Sequence, residues 1–248
     1  MGRGAFRECI ASHGALKAAV HVRCRLERRT VKVSEQPDIL PSTGRARTMK
    51  GSSKPIVAFQ GESGAFSEKA AQQLVPGDIT IVPCPTFNAA VRMVVNGHAD
   101  FAAIPVFNIT AGPVHAAVAA IAQFDALEQV GEYSLMVRLA LLGESGATVD
   151  GIREALSHEM ALKQCTRFLA AHPHIQPVEA HDTAGAARLV AIRRDPSVAA
   201  IAAPWAAAHY GLTILADGLE DRSDNATTFV LLRRRTAIAL PVPPGPES

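Results

Sequence analysis

A threonine where a loop enters a strand is the side chain of this sequence best suited to proton chemistry. In Asp224-Asn225-Ala226-Thr227-Thr228-Phe229, Thr227 stands between an acidic loop (Asp217, Glu220, Asp221, Asp224) and the apolar run Phe229 to Leu232. Loops placed by a rigid scaffold carry function more often than the scaffold does, and a hydroxyl at a strand entry can be aimed into a cleft. The plainer reading, that Asn225 and Thr227 satisfy turn hydrogen bonds, fits this stretch better when it is taken alone.

Three further loops offer polar groups after a strand and before a helix. Gly61-Glu62-Ser63-Gly64 presents backbone N–H groups and a helix dipole to an anion, or is a structural turn. It lacks both the Gly-Lys-Ser/Thr of a phosphate-binding loop and the glycine spacing of a dinucleotide site. Ser157-His158-Glu159 reads as a helix start, with Ser157 as N-cap and Glu159 in the first turn; Gln164 further along is either a ligand contact or solvated. His181-Asp182-Thr183 is another start, capped by Asp182 or Thr183. His172 and His174 are two apart in a loop, which is not zinc spacing, and no Ser-His-Asp arrangement can be argued.

These loops need a scaffold. From Pro55 the chain alternates strand and helix: strands at Ile56–Phe59, Ile79–Val82 and Phe101–Val106, with helices at Ser67–Leu74, Thr86–Asn96 and Val114–Gln123. That repetition predicts a mostly parallel sheet covered by helices, with ligands beyond the C-terminal strand ends. A long strand, Tyr133–Leu142, is expected to cross to a second α/β set. This set has one helix over Glu159–Ala171, a strand near Ile175–Ala180, a helix over Ala184–Ile192, a strand at Val198–Ala202 and a helix over Pro204–Tyr210. The short strand Phe229–Leu232 is expected to return to the first sheet. The fold class predicted is α/β, two lobes joined by two crossings with a cleft between. Lobe one covers about 54–130 plus 226–235 and lobe two about 131–225.

The charge balance limits partners. Residues 1–54 hold 12 Lys or Arg against 4 Asp or Glu, and residues 55–248 hold 13 against 19. The folded part is therefore mildly acidic and unsuited to nucleic acid. Residues 1–53 read as a disordered basic extension, either a transit segment or an over-extended start with the initiator at Met49; 236–248 read as a Pro-rich tail. Cys9, Cys24, Cys84 and Cys165 show no paired spacing, and no apolar run is long enough to span a bilayer. A cytoplasmic protein with reduced thiols and no membrane partner is expected.

Taken in order, the loops resemble the prephenate dehydratase family from Ile56 to Leu232. The matching pieces are Gly61-Glu62-Ser63-Gly64-Ala65-Phe66-Ser67, Pro83-Cys84-Pro85-Thr86-Phe87, Ile104-Pro105-Val106-Phe107-Asn108, Ser157 to Cys165, Asp182-Thr183-Ala184-Gly185, Tyr210-Gly211-Leu212 and Asn225-Ala226-Thr227-Thr228-Phe229. The resemblance implies a fold like the periplasmic binding proteins with prephenate in the cleft. It implies a carbon–oxygen lyase that converts prephenate to phenylpyruvate in phenylalanine biosynthesis, with no metal or organic cofactor, as a homo-oligomer (dimer or tetramer). Thr227 matches the family's catalytic threonine. Asn108, Ser157 and Gln164 match its polar substrate-pocket positions, and Ser63, Thr183, Arg138 and Phe229 are assigned to substrate binding with them.

The sequence departs from the family's pattern at three places. Phe107 and Ile109 replace the Glu and Ser that flank Asn108, and Thr228 replaces the Arg that follows the catalytic threonine. Arg138 stands where a His is usual and is expected to restore a cation to the pocket. The resemblance ends near Leu232, so the ACT domain that usually follows, and its feedback by phenylalanine, are not expected. The departures leave two alternatives beside the dehydratase: a catalytically silent small-molecule-binding homologue, and a non-aromatising prephenate decarboxylase.

Overall fold

Short Ala-, Val- and Ile-rich runs separated by helix-period stretches fold into two mixed sheets. The computed structural model describes residues 54–235; the basic segment 1–53 with the choice between Met1 and Met49, Cys9 and Cys24, and the tail 236–248 lie outside the described residues. The first sheet begins with β1 (Ile56–Gln60), α1 (Phe66–Leu74), β2 (Thr80–Cys84), α2 (Phe87–Val95) and β3 (Phe101–Asn108). β1 runs parallel to both β2 and β3. After β4 (Gly112–Pro113) and α3 (His115–Ala122) the chain forms β5 (Leu127–Met136). The last strand, β11 (Ala226–Arg234), lies antiparallel between β3 and β5, giving the order β2-β1-β3-β11-β5. Ala90, Val91 and Val94 of α2 pack on Ala58, Ala102 and Ile104, so small side chains let the helix sit close to the sheet.

The second sheet has the order β10-β6-β9-β7-β8. Its strands are β6 (Ala140–Gly143), β7 (Glu154–Ser157), β8 (Gln176–Glu179), β9 (Val198–Ala202) and β10 (Thr213–Ala216), and its helices are α4 (Glu159–Leu162), α5 (Thr166–Ala171), α6 (Thr183–Arg193) and α7 (Trp205–Tyr210). The two-lobed α/β architecture expected from the sequence is the one observed. The sheets, however, are mixed rather than mostly parallel, because β11 returns antiparallel between β3 and β5 and β6 lies antiparallel to β9 and β10. Among the described residues no helix is long and apolar enough to cross a membrane.

Two expectations are corrected. Tyr133–Leu142 is not one strand: β5 pairs with β11 as far as Met136, Val137–Leu139 cross, and β6 starts at Ala140. The first lobe therefore extends beyond residue 130. The crossing is held by its own hydrogen bonds. Val137 N–H donates to Asn225 O at 2.9 Å, and Leu219 N–H to Leu139 O at 2.9 Å. The helix expected over Glu159–Ala171 is also broken, into α4 and α5, because the second crossing inserts beside it. Asp221 N–H takes the Gln164 carbonyl at 2.6 Å. The Asp221 carboxylate accepts from the N–H groups of Thr166 and Arg167 at 3.0 and 2.9 Å and so caps α5.

One local irregularity sets the geometry of the cleft. β3 contains Pro105, which has no N–H to give to a neighbouring strand. Opposite it the ladder slips: Thr228 pairs with Phe107 but Phe229 pairs with Pro105, so Val106 is an extra residue. A one-residue bulge reverses the alternation of side chains along a strand. Beyond it Asn108, not Phe107, shares the face of Pro105, and Asn108 stands opposite Thr227.

Candidate active site

A cavity of about 300 Å³ lies between the sheets, at the lower end of the usual size for small-molecule sites. Lobe one contributes Gln60 at the end of β1, Phe66 and Ser67 at the start of α1, Pro105 and Asn108 of β3, and Thr227 and Phe229 of β11. Lobe two contributes His158, Gln164, Asp182 and Thr183, and the crossing contributes Val137 and Leu139. Five sequence-predicted residues thus come together: Thr227, Asn108, Gln164, Thr183 and Phe229.

The direction of the Thr227 hydroxyl follows from its neighbour. Asn108, 8% exposed, has its Oδ1 occupied by the backbone N–H groups of Thr110 and Ala111 at 3.0 and 2.8 Å. Backbone N–H groups only donate, so this atom must be the oxygen and the other end of the amide must be the NH₂. That NH₂ donates to Thr227 Oγ1 at 2.9 Å and to Ala226 O at 3.3 Å. With its oxygen accepting from Asn108, Thr227 keeps its own proton for a partner in the cavity.

On the opposite wall Gln164 sits in the break between α4 and α5, and its Oε1 accepts from Asn225 Nδ2 at 3.1 Å. Asp182 caps α6 by accepting from Gly185 N–H at 2.7 Å and also lines the cavity, next to Thr183. His158 is the N-cap of α4, its Nδ1 accepting from Met160 N–H at 3.1 Å, which leaves Nε2 as the protonated nitrogen of the neutral ring. The first turn of α1 has no side-chain cap, so its N–H groups remain available where Phe66 and Ser67 meet the cavity. Sequence reasoning passes over Gln60 and His158 and reads Asp182 as a cap only. The position of Gln60 at the C-terminal end of a parallel strand is the signal that was available.

Three expected residues are placed elsewhere. Ser157 is 0% exposed and donates to Ile201 O at 2.5 Å, tying β7 to β9, and its successor His158 takes both the cap and the place at the cavity. Ser63 is not a lining residue. Its carbonyl accepts from Tyr210 OH at 2.6 Å, while Trp205 Nε1 donates to Gly64 O at 2.9 Å, so the Gly61–Gly64 loop clasps lobe two. Gly64 suits that turn because its φ is +85°, a conformation that side-chain-bearing residues rarely adopt. Arg138 is likewise not a lining residue. It pairs at 2.6 Å with the buried Glu220, whose other oxygen accepts from Leu139 N–H at 2.9 Å. No Lys or Arg is among the described lining residues.

Phe107, Ile109 and Thr228 also lie off the cavity wall. Ile109 is 44% exposed. Phe107 and Thr228 are partners across β3 and β11, on the face opposite Thr227, and Thr228 Oγ1 shares a hydrogen bond of 3.1 Å with Ser134 Oγ. A Glu at position 107 and an Arg at position 228 would stand opposite each other as a cross-strand charge pair.

Buried thiols take no part. Burial, with Asp221 and Glu220 nearby, pushes the Cys165 thiol up to about 12, so it stays protonated at neutral pH. Among the described residues no group of three or more His, Cys, Asp or Glu is arranged to hold a metal ion.

The sequence profile of one family, described as prephenate dehydratase, matches residues 57–237. Arogenate dehydratase/prephenate dehydratase 2, chloroplastic, of Arabidopsis thaliana is 35% identical over 211 residues, covering 84% of this chain and 55% of that protein. The bifunctional N-acyl-homoserine lactone acylase/prephenate dehydratase of Komagataeibacter europaeus is 38% identical over 191 residues, 77% of this chain and 66% of that one. The crystal structure of a prephenate dehydratase in complex with L-Phe from Arthrobacter aurescens superposes with a TM-score of 0.68 at 34% identity, covering 73% of this chain and 61% of that one. The chain spans about half the length of most of the curated relatives it matches.

The structural assignment of Ser157 has a direct check. Ser157→Ala removes one buried hydrogen bond and is expected to lower the unfolding free energy by about 1 kcal/mol in urea melts. Unchanged stability would contradict the assignment.

Proposed function

The chain belongs to the prephenate dehydratase family, and from that premise we propose that it converts prephenate to phenylpyruvate by decarboxylating dehydration. The observation that carries this reading is the Asn108 amide, which donates to Thr227 Oγ1 and leaves the Thr227 proton for the cavity. As the ring carboxylate leaves as carbon dioxide, its bonding pair enters the ring and expels the ring hydroxyl. That hydroxyl takes the Thr227 proton and departs as water. Thr227 is then reprotonated from solvent, so one proton is consumed per turnover. Aromatisation supplies the driving force, and a positioned hydroxyl donor contributes about 10²–10⁴ in rate.

The remaining groups bind and exclude water. The uncapped first turn of α1, the Gln164 amide and the Thr183 hydroxyl are the donors available to substrate carboxylates. Phe66, Phe87, Met160 and Phe229 supply apolar walls, and a dry site strengthens each of those hydrogen bonds.

A second substrate for the same chemistry is favoured by one observation: the wall carries the Asp182 carboxylate and no Lys or Arg among the described lining residues. Arogenate, which the name of the Arabidopsis relative includes, bears an ammonium where prephenate has a keto group, and an ammonium suits such a wall better.

Turnover of prephenate is read from phenylpyruvate absorbance in alkali. Thr227→Val is expected to lower kcat by about 10²–10⁴, the range for loss of a general acid, while Thr227→Ser stays within about tenfold by keeping the hydroxyl. A Thr227→Val enzyme as fast as the wild type would overturn the reading. Tight prephenate binding without turnover would assign a silent binding protein, and a product that loses carbon dioxide but keeps the ring oxygen would assign a decarboxylase. On the substrate, kcat/KM for arogenate is expected to exceed that for prephenate by about tenfold, the worth of one charge-assisted contact. The advantage should disappear in Asp182→Asn; a preference for prephenate would contradict the role given to Asp182.

A further inference from the structure

Asn225 is 1% exposed, and its Oδ1 is the one buried side-chain polar atom without a hydrogen-bond partner among the described residues. A buried polar group left unpaired in an otherwise satisfied fold calls for an explanation, and such exceptions concentrate where function overrides local stability. The other end of the side chain is engaged: Nδ2 donates to Gln164 Oε1 at 3.1 Å. Both residues are anchored through their backbones. Asn225 O accepts from Val137 N–H at 2.9 Å in the crossing, and Gln164 O accepts from Asp221 N–H at 2.6 Å. Asn225 does not line the cavity, whereas Gln164 does.

We propose that Asn225 is a positioning residue that fixes the Gln164 amide as a hydrogen-bond donor to a carboxylate of the bound substrate. The orientation follows from which orphan the fold tolerates. Turning both amides over would keep their mutual bond but bury the Asn225 NH₂ without an acceptor, and orphaned N–H groups are rarer in folded proteins than under-satisfied carbonyl oxygens. With Oε1 occupied by Asn225, the free end of Gln164 is its NH₂. An anionic ligand needs that end, since an oxygen in the same place would repel it. Asn225 also precedes Ala226 and Thr227 in the chain. One residue thus links the donor on lobe two to the strand that carries the proton donor on lobe one.

The inference rests on the dehydratase reading for the identity of the substrate, but its test does not depend on turnover. Affinities for prephenate and arogenate are measured by calorimetry in Thr227→Val protein, alone and combined with Asn225→Asp, Gln164→Ala or both. A carboxylate at position 225 accepts from Gln164 Nε2 and turns Oε1 toward the cavity, so Asn225→Asp is expected to weaken binding about tenfold or more. In the Gln164→Ala background the same change should weaken binding less than about twofold, since no amide is left to orient. Equal weakening in both backgrounds, or none in either, would overturn the proposal. If urea melts find Asn225→Asp unfolded, Asn225→Ala replaces it in the same cycle, with a smaller loss expected that again vanishes without Gln164. Wild-type protein that binds these compounds without turning them over would refute the dehydratase reading while leaving this cycle decisive.

Discussion

The site depends on one hydrogen bond between neighbouring strands, from the Asn108 amide to the Thr227 hydroxyl. It exists because the ladder between β3 and β11 slips by one residue at Val106, beside Pro105, and the slip turns Asn108 toward the cleft. Without the bulge Phe107 would face the cavity, and the Thr227 oxygen would have no donor beside it. The Asn108 oxygen, locked by Thr110 and Ala111, turns this contact from a distance into a direction. A hydroxyl whose oxygen is already occupied presents its proton, which is what the proposed departure of a ring hydroxyl requires.

The rest of the molecule holds two walls around that proton. Val137–Leu139 and the return segment before β11 are bound to one another, with Glu220 bridging Arg138 and the Leu139 N–H. The return segment also reaches into lobe two, where Asp221 and Asn225 hold the two ends of Gln164, its carbonyl and its amide. On the far side, Trp205 and Tyr210 grip the carbonyls of Gly64 and Ser63, and Phe66 meets Trp205 edge to face at 5.2 Å. The lobes are therefore tied at both margins of the cavity, a geometry suited to excluding water from it.

Much of this was legible in the sequence because strand and helix periods are local. The β-α alternation gave the two lobes, and Thr227, Asn108 and Gln164 belong to loops whose order resembles a known family. What misled was long-range. Ser157 looks like a helix cap, but the Ile201 carbonyl on a strand much later in the chain claims its hydroxyl, and His158 takes its place. Arg138 looks like a free cation until Glu220, far along the chain, is brought beside it. The break at Gln164 has no local signal either, since it comes from Asp221 inserting between two potential turns of one helix. Phe107 and Thr228 stand out in the motif, yet the sheet register puts both on the face away from the cavity.

The direction of the Thr227 proton can be tested with a nearly isosteric change. Asn108→Asp keeps one oxygen on the Thr110 and Ala111 N–H groups but replaces the donor facing Thr227 with an acceptor, which draws the threonine proton away from the cavity. The decisive measurement is the single-turnover rate of prephenate with this variant, alongside its circular dichroism. The account predicts a native fold and a rate lower by about 10² or more, the worth of a positioned acid. A folded variant that turns over at the wild-type rate would contradict it.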